Sequence, residues 1–331
     1  MNKIPQTDPL TLHYDTLIFD AHCDTLGDVL AGTRRLGERS DQGHCDLPRM
    51  REAGISGQVF ACFVPQPHQQ HGATRHALQR LDTFYREMEA NPDALLLATS
   101  AAHIEEAKRA GKIAGVLGLE GAEALDGSVE VLRCFYRLGV RVLGLAWDYR
   151  NAACDGVKVG GRPGGLTAFG EQVVKECNRL GVVVDVSHLA GPGLGDVLTL
   201  SEQPVIASHS NARALCDHER NLSDAQLEAI AAHGGVVCVT FVPRFIRDPW
   251  PGASLDDFLK HIDHLVAVMG IDHVGLGSDF DGYEQGNLAG MEDVTRLPAL
   301  TAGLLARGYE PLAVRKILGG NLLRLFRQVV G

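Results

Sequence analysis

The sequence predicts an α/β fold in which eight parallel strands close into a (β/α)8 barrel, the TIM-barrel architecture. Three observations lead there. Short apolar runs rich in β-branched residues alternate with helical patterns along the chain. Eight such runs can be counted, the number that closes a barrel of this kind. Histidines and carboxylates follow the C-terminal ends of several runs, which is where barrel enzymes keep their active sites.

The runs span residues 17–24, 57–64, 113–121, 140–147, 182–188, 204–210, 234–241 and 273–280. Most are almost continuously apolar, as strands buried on both faces should be. Helical patterns fill the gaps. Residues 73–90 carry a stripe of Leu78, Leu81, Phe84 and Tyr85, and residues 100–110 are charged on one face. Helices over 129–138, 167–180 and 192–200 follow their strands closely, and 311–318 and 322–330 close the chain. Ser223 with Gln226 forms a capping box ahead of Leu227 and Ile230, and Ser254 with Asp257 opens a helix that runs to Met269. No Pro/Ser-rich hinge, low-complexity stretch or repeat interrupts the pattern, so residues 1–331 read as a single domain. A doubly wound open sheet is the alternative; the strand count favours the barrel.

Composition narrows the function. Hydrophobic residues make up 45% and charged residues 22%, which suits a soluble chain with a large core. The net charge is −10 and no basic stripe is present, which argues against a nucleic-acid partner and for small molecules. Residues 1–14 are polar, are broken by Pro5 and Pro9, and lack the apolar core of a signal peptide. No stretch is apolar for long enough to span a membrane. Eight cysteines are scattered without CxxC spacing, several inside strand-like runs. Reduced thiols and a cytoplasmic location are the expectation.

The strand ends carry the chemistry. The first run ends in Asp20-Ala21-His22-Cys23-Asp24, the third in Glu120-Gly121, and the fifth in Asp185-Val186-Ser187-His188. The sixth ends in Ser208-His209-Ser210 and the eighth in Ser278-Asp279-Phe280-Asp281. Buried carboxylates and imidazoles cost several kcal/mol unless paired or metal-bound, so their convergence on one mouth asks for cations. Side chains at i and i+2 of a strand point the same way, so His22 and Asp24 can chelate one ion. His188 and His209 come from neighbouring strands and can share a second, with Glu120 between the pairs. A second His-x-Asp, His44-Cys45-Asp46, precedes the second strand and reads as structural.

Taken together these residues resemble the membrane (renal) dipeptidase family of zinc peptidases, within the amidohydrolase superfamily. The similarity covers nearly the whole chain. It includes Phe19-Asp20-Ala21-His22-Cys23-Asp24, Asp46-Leu47-Pro48-Arg49, Gly118-Leu119-Glu120-Gly121, Asp185-Val186-Ser187-His188 and Ser208-His209-Ser210-Asn211. Arg220-Asn221-Leu222-Ser223-Asp224, Gly277-Ser278-Asp279-Phe280-Asp281-Gly282 and Gly319-Gly320-Asn321 complete it. The resemblance implies an amidohydrolase-like barrel with two divalent metal ions, zinc by family habit. His22 and Asp24 would hold one ion, His188 and His209 the other, and Glu120 would bridge. It also implies that Arg220 grips the terminal carboxylate of a dipeptide, that Asp279 is the acid/base, that a bridging hydroxide is the nucleophile, and that the chain forms a homodimer. Asp281 is the runner-up to Asp279. Mammalian members carry a substrate-contacting histidine after the fourth strand. The corresponding residues 144–151 contain none, so Asp148 is the residue expected to approach substrate there, with Trp147 as packing. Two other readings stay open: a related hydrolase of N-acyl amino acids or lactams, and an inactive barrel that serves as a binding protein.

Overall fold

The computed structural model describes residues 7–66, 68–69, 71–283 and 286–331. Residues 1–6 of the polar N-terminal stretch lie outside the described residues. Among the described residues there are nine parallel strands: β1 (Ile18–Cys23), β2 (Ile55–Phe63), β3 (Leu95–Leu97), β4 (Ile113–Glu120), β5 (Val140–Gly144), β6 (Val183–Asp185), β7 (Ile206–Ala207), β8 (Val236–Val239) and β9 (Val274–Leu276). They are ordered β2-β1-β9-β8-β7-β6-β5-β4-β3, and β2 also pairs with β4 over seven residues from Gly57↔Ala114 to Phe63↔Glu120. That pairing closes an eight-stranded barrel. The extra strand β3 lies beside the first half of β4, while β5 pairs with its second half.

All eight predicted runs are barrel strands, shorter at their C-terminal ends than expected where the chain leaves the ladder to build the mouth. The ninth strand was not foreseen. Its three leucines have no alternation to announce them. The long helices Ala73–Ala90, Ala101–Ala110, Ala168–Leu180 and Leu255–Met269 lie where the patterns place them, and both capping boxes form. Unforeseen short helices occur at Pro9–Asp15, Leu26–Ala31, Leu47–Glu52 and Pro243–Ile246. Leu297–Ala306 is apolar on nearly every face and gives no stripe to read. The helix beginning at Pro311 widens into a looser turn at Lys316–Gly320. There the chain runs against β1: a Cβ on Gly319 would sit 2.5 Å from the Leu17 carbonyl oxygen.

Period-two alternation sorts the strands' side chains to two faces. Val59, Val116, Val142, Val183, Ile206 and Val236 fill the barrel interior, joined from the N-terminal end of the strands by helices Ala101–Ala110 and Asn321–Val329. Phe326 meets Phe19 edge-on there, with ring centres 5.7 Å apart. The next residues along, such as Phe60, Leu117, Leu143 and Val237, pack outward against the helical ring. Within β1 the alternation is interrupted. Asp20 pairs with Gln58 but Cys23 with Phe60, so β1 carries one extra residue and bulges. Phe19 and Ala21 face the interior cluster and Cys23 the outer one, which leaves His22 and Asp24 free to face the mouth.

Candidate active site

The site is built at the C-terminal ends of the strands. Among the described residues, three of the four non-glycine residues with left-handed backbone, His188, Asp279 and Asp281, lie here at φ of +61° to +67°. That conformation costs about 1 kcal/mol or more per residue and persists where surroundings enforce it. Two buried aspartates do the enforcing. Asp20 Oδ1 accepts from the backbone N–H of His22 (3.2 Å) and of Ser278 (2.8 Å), locking the ends of β1 and β9 together. Asp185 Oδ1 does the same for Ser187 and Ser208, both at 2.9 Å. These two roles had been missed, because an aspartate at a strand end is equally a ligand candidate by sequence.

His22, Asp24, Glu120, His188, His209 and Asp279 come together. His22 Nε2 lies 3.2 Å from Asp24 Oδ2, 3.5 Å from Glu120 Oε2 and 4.0 Å from Asp279 Oδ1. Glu120 points its other oxygen, Oε1, at His188 Nε2 (3.0 Å) and His209 Nε2 (3.7 Å). Glu120 thus stands between two histidine groups with one oxygen toward each. His22–Glu120–His209 and His22–Asp24–Asp279 each gather donor atoms within 4.8 Å of one another.

The tautomers of the two far histidines follow from their partners. His188 Nδ1 donates to Asp148 Oδ1 at 2.8 Å. Ser208 gives its hydroxyl hydrogen to Asp185 Oδ2 at 2.5 Å, so at 2.7 Å from His209 Nδ1 it is the acceptor. Both rings therefore turn bare Nε2 atoms toward each other, 2.8 Å apart. Two lone pairs at that distance repel, and a cation removes the repulsion. The donor set of imidazole nitrogens and carboxylate oxygens, each fixed from behind, fits a divalent metal of the zinc type.

The sequence pattern of the membrane dipeptidase family, peptidase family M19, matches residues 9–330. The chain belongs to this family. It is 35% identical over 299 residues to the dipeptidase verJ of Clonostachys rogersoniana, which is 86% of this chain and 76% of that protein. Among solved structures it is similar to the family M19 metallopeptidase dipeptidase AC, at 35% identity over 96% of this chain and 99% of that one, with a TM-score of 0.90. It is also similar to a metallopeptidase from Rhodobacter sphaeroides solved with a phosphinate mimic of the dipeptide L-Ala-D-Ala. That match has 34% identity over 95% of this chain and all of the other, with a TM-score of 0.89. Metal-dependent dipeptide hydrolysis is the activity class of this chain.

The electrostatics suit a metallo-dipeptidase. Burial alone would raise the Glu120 carboxyl, but the His22 charge and the close His22 and His188 imidazoles outweigh it and hold it well below the usual range. His22 behaves oppositely to His209. Despite burial, Glu120 and Asp24 push the His22 imidazole well up, so a positive charge is favoured among these carboxylates. Burial, with His22, Arg220 and His188 nearby, pushes His209 well down and keeps it neutral, the form that binds metal. Burial raises the Asp279 carboxyl well above its usual value, with Asp24 and Glu120 adding to the rise.

A cavity of about 290 Å³ opens over the cluster, bordered by Asp24, Glu120, His188, His209 and Asp279. The size is at the lower end for small-molecule sites, in keeping with a dipeptide. Arg220 forms part of its wall and is 4% exposed. Among the described residues Arg220 makes no ion pair. Its Nη2 donates to the His209 carbonyl at 3.2 Å, its Nε has no partner, and it packs over Phe245.

Asp148, expected to approach substrate, lines the cavity. Both of its oxygens are engaged, Oδ1 by His188 and Oδ2 by Lys158 Nζ at 2.5 Å. Asp148 thus holds His188 from behind. Trp147 packs between Phe63 and His188, with ring centres 5.0 and 6.1 Å away, and Lys158 lies over it at 5.8 Å. Lys158 was not foreseen, since it sits far along an irregular loop. Asp281 also borders the cavity, but its oxygens are engaged by the protein. It accepts from Arg34, Thr25 and the backbone N–H of His44.

Proposed function

We propose that residues 1–331 form one hydrolase domain that binds two divalent ions, zinc by ligand type, and cleaves dipeptides with a free C-terminal carboxylate. His22 and Asp24 hold one ion, His188 and His209 the other, and Glu120 bridges them. The observation that carries this reading is Glu120, whose two oxygens face His22 on one side and His188 and His209 on the other. Metal bound there supplies Lewis acidity, polarising the scissile carbonyl and making water nucleophilic near neutral pH. Arg220 forms a bidentate pair with the substrate carboxylate and so fixes which peptide bond lies over the ions. Asp279 takes the proton from the attacking water and delivers it to the leaving amine. Asp148, held by Lys158, keeps His188 in the tautomer that presents Nε2.

Among the described residues no helix is long and apolar enough to cross a membrane. All eight cysteines are free thiols, seven of them buried, and this supports the cytoplasm as the compartment. The family resemblance supports a homodimer, which sedimentation would test. The deciding experiment is metal analysis beside hydrolysis of L-Ala-L-Ala and L-Ala-D-Ala before and after chelation. About two ions per chain and cleavage abolished by chelator and restored by metal are expected. Folded protein that takes up no metal would sink the reading. Two ions without dipeptide cleavage would redirect it to N-acyl amino acids and lactams.

A further inference from the structure

Arg80 lines the active-site cavity, yet the hydrolysis described above makes no use of it. It projects from helix Ala73–Ala90 and is 7% exposed. Its Nε donates to the Phe63 carbonyl at the end of β2. Among the described residues its Nη1 and Nη2 make no hydrogen bond and no ion pair. A guanidinium carries five N–H donors and cannot give up its charge, so burying one with most donors unspent calls for an anion.

The surroundings leave room for that anion. Gly27 lies beneath the guanidinium, and a Cβ there would sit 3.2 Å from Arg80 Nη1 and 3.6 Å from Nη2. Gly27 is inside helix Leu26–Ala31 without a positive φ, so its backbone does not require glycine. What glycine provides there is an uncovered face of Arg80 toward the cavity.

The barrel fixes what reaches that face. Arg80 is tied to the end of β2, and Arg220 follows β7 and is tied to the His209 carbonyl. In the closed ring β2 and β7 are four strands apart by either route, through β1, β9 and β8 or through β4, β5 and β6. The two guanidiniums therefore occupy opposite walls, with the His22–Glu120–His188–His209 cluster between them. A dipeptide whose carboxylate is on Arg220 and whose scissile carbonyl is over the cluster directs its N-terminal residue toward Arg80. Asp28 lies on the same side of the cavity, with its Oδ2 paired with Arg34 at 2.9 Å.

We propose that Arg80 recognises a carboxylate on the side chain of the substrate's N-terminal residue, so that the enzyme prefers dipeptides beginning with Glu or Asp. The inference rests on the orientation given above, with Arg220 on the terminal carboxylate.

The test compares kcat/KM for L-Glu-L-Ala, its near-isostere L-Gln-L-Ala, and L-Ala-L-Ala, using metal-loaded enzyme. Wild type should favour Glu over Gln by about ten-fold or more, the usual worth of a charge-assisted hydrogen bond. Arg80→Met should bring the Glu/Gln ratio to about one at unchanged metal content, and Arg80→Lys should keep part of the preference. Arg220→Met should instead depress all three substrates together. Equal treatment of Glu and Gln by the wild type overturns the inference even if no Arg80 variant folds, and with L-Ala-L-Ala cleaved it leaves the proposed function standing. An Arg80→Met enzyme that loses Glu and Gln activity in equal measure also overturns it. Failure to cleave any of the three would sink the proposed function as well.

Discussion

The tripeptide His-Cys-Asp occurs twice in this chain, at residues 22–24 and 44–46, and the two copies have opposite fates. The first ends β1, where the bulge turns His22 and Asp24 together into the mouth beside Asp279. The second lies ahead of helix Leu47–Glu52. His44 exchanges hydrogen bonds with Asp281, giving its backbone N–H and receiving that of Asp281 at Nδ1. Asp46 caps the helix at the backbone N–H of Arg49 and pairs with the Arg49 side chain. Each copy thus takes one aspartate of the Ser278–Asp281 turn. Charge balance separates them. Around the second copy Arg34 and Arg49 neutralise the carboxylates. Around the first, Asp24, Glu120 and Asp279 crowd one histidine with no arginine in hydrogen-bonding range. A neutralised cluster holds a fold together, and an unneutralised one is suited to a metal.

The largest contrast should come from matched substitutions in the two copies. Asp24→Asn should lower metal content and reduce kcat/KM by about 10⁴-fold or more at stoichiometric metal, with little change in melting temperature of the metal-free protein. If Asp24→Asn kept full activity and metal, the first copy would be structural like the second. Asp279→Asn should retain the ions and lose turnover by about 10³-fold, within the range of general acid–base effects. Near-normal turnover would remove Asp279 from proton transfer. The neighbouring Gly282 belongs to the same test. A Cβ there would lie 2.1 Å from Asp279 Oδ1 and 2.5 Å from Asp24 Oδ2, so the glycine exists to let both carboxylates converge.

The barrel was legible because buried parallel strands are apolar throughout and the helices between them carry stripes and capping boxes. The convergence of Asp24, Glu120, His188, His209 and Asp279 on one cavity was legible for a related reason: an apolar run that stops at an ionisable residue marks a strand's C-terminal end. Residues outside that rule left no such mark. Lys158 arrives from an irregular loop and Arg80 from the middle of a helix, where a lone cation reads as solvated surface. Asp148 was placed near the site, but which of its neighbours it serves depends on a loop path that spacing does not encode. Nor could the β1 bulge be read, although it decides which way His22 points.

Within the second copy the effects should fall on stability. Asp281 has 1% side-chain exposure and pairs with Arg34, which has 4%. Asp281→Asn removes the buried partner of Arg34 and leaves it only the half-exposed Asp28 at 2.9 Å, so the substitution should cost about 2–3 kcal/mol. Burial alone would raise the Asp281 carboxyl, but the His44 hydrogen bonds and the Arg34 charge hold it well below its usual value. A carboxyl depressed by folding stabilises fully above its unfolded pKa of about 4 and loses that contribution as pH falls through the folded value. The gap in urea midpoint between wild type and Asp281→Asn, measured on metal-free protein, should therefore be widest near neutrality and narrow below pH about 4. A gap that did not change with pH would mean the carboxylate charge contributes nothing.

The smallest effect should come from Asp46→Asn. Asparagine caps a helix about as well as aspartate, so the 2.8 Å bond from the Arg49 backbone N–H survives. What is lost is the charge facing Arg49 Nε at 2.7 Å and the Ser40 backbone N–H at 3.0 Å, while Arg49 keeps Asp293 at 3.3 Å and the carbonyls of Gln42 and Gly43. With so many partners remaining, the loss should be about 1–2 kcal/mol, that of a single charged hydrogen bond. Turnover per folded molecule and metal content should match wild type, because Asp46 anchors helix Leu47–Glu52 and the Ser40 backbone rather than the metal cluster. A fall in metal content here would show that the two His-Cys-Asp copies are coupled through the Asp279–Asp281 turn, and the division of labour between them would have to be redrawn.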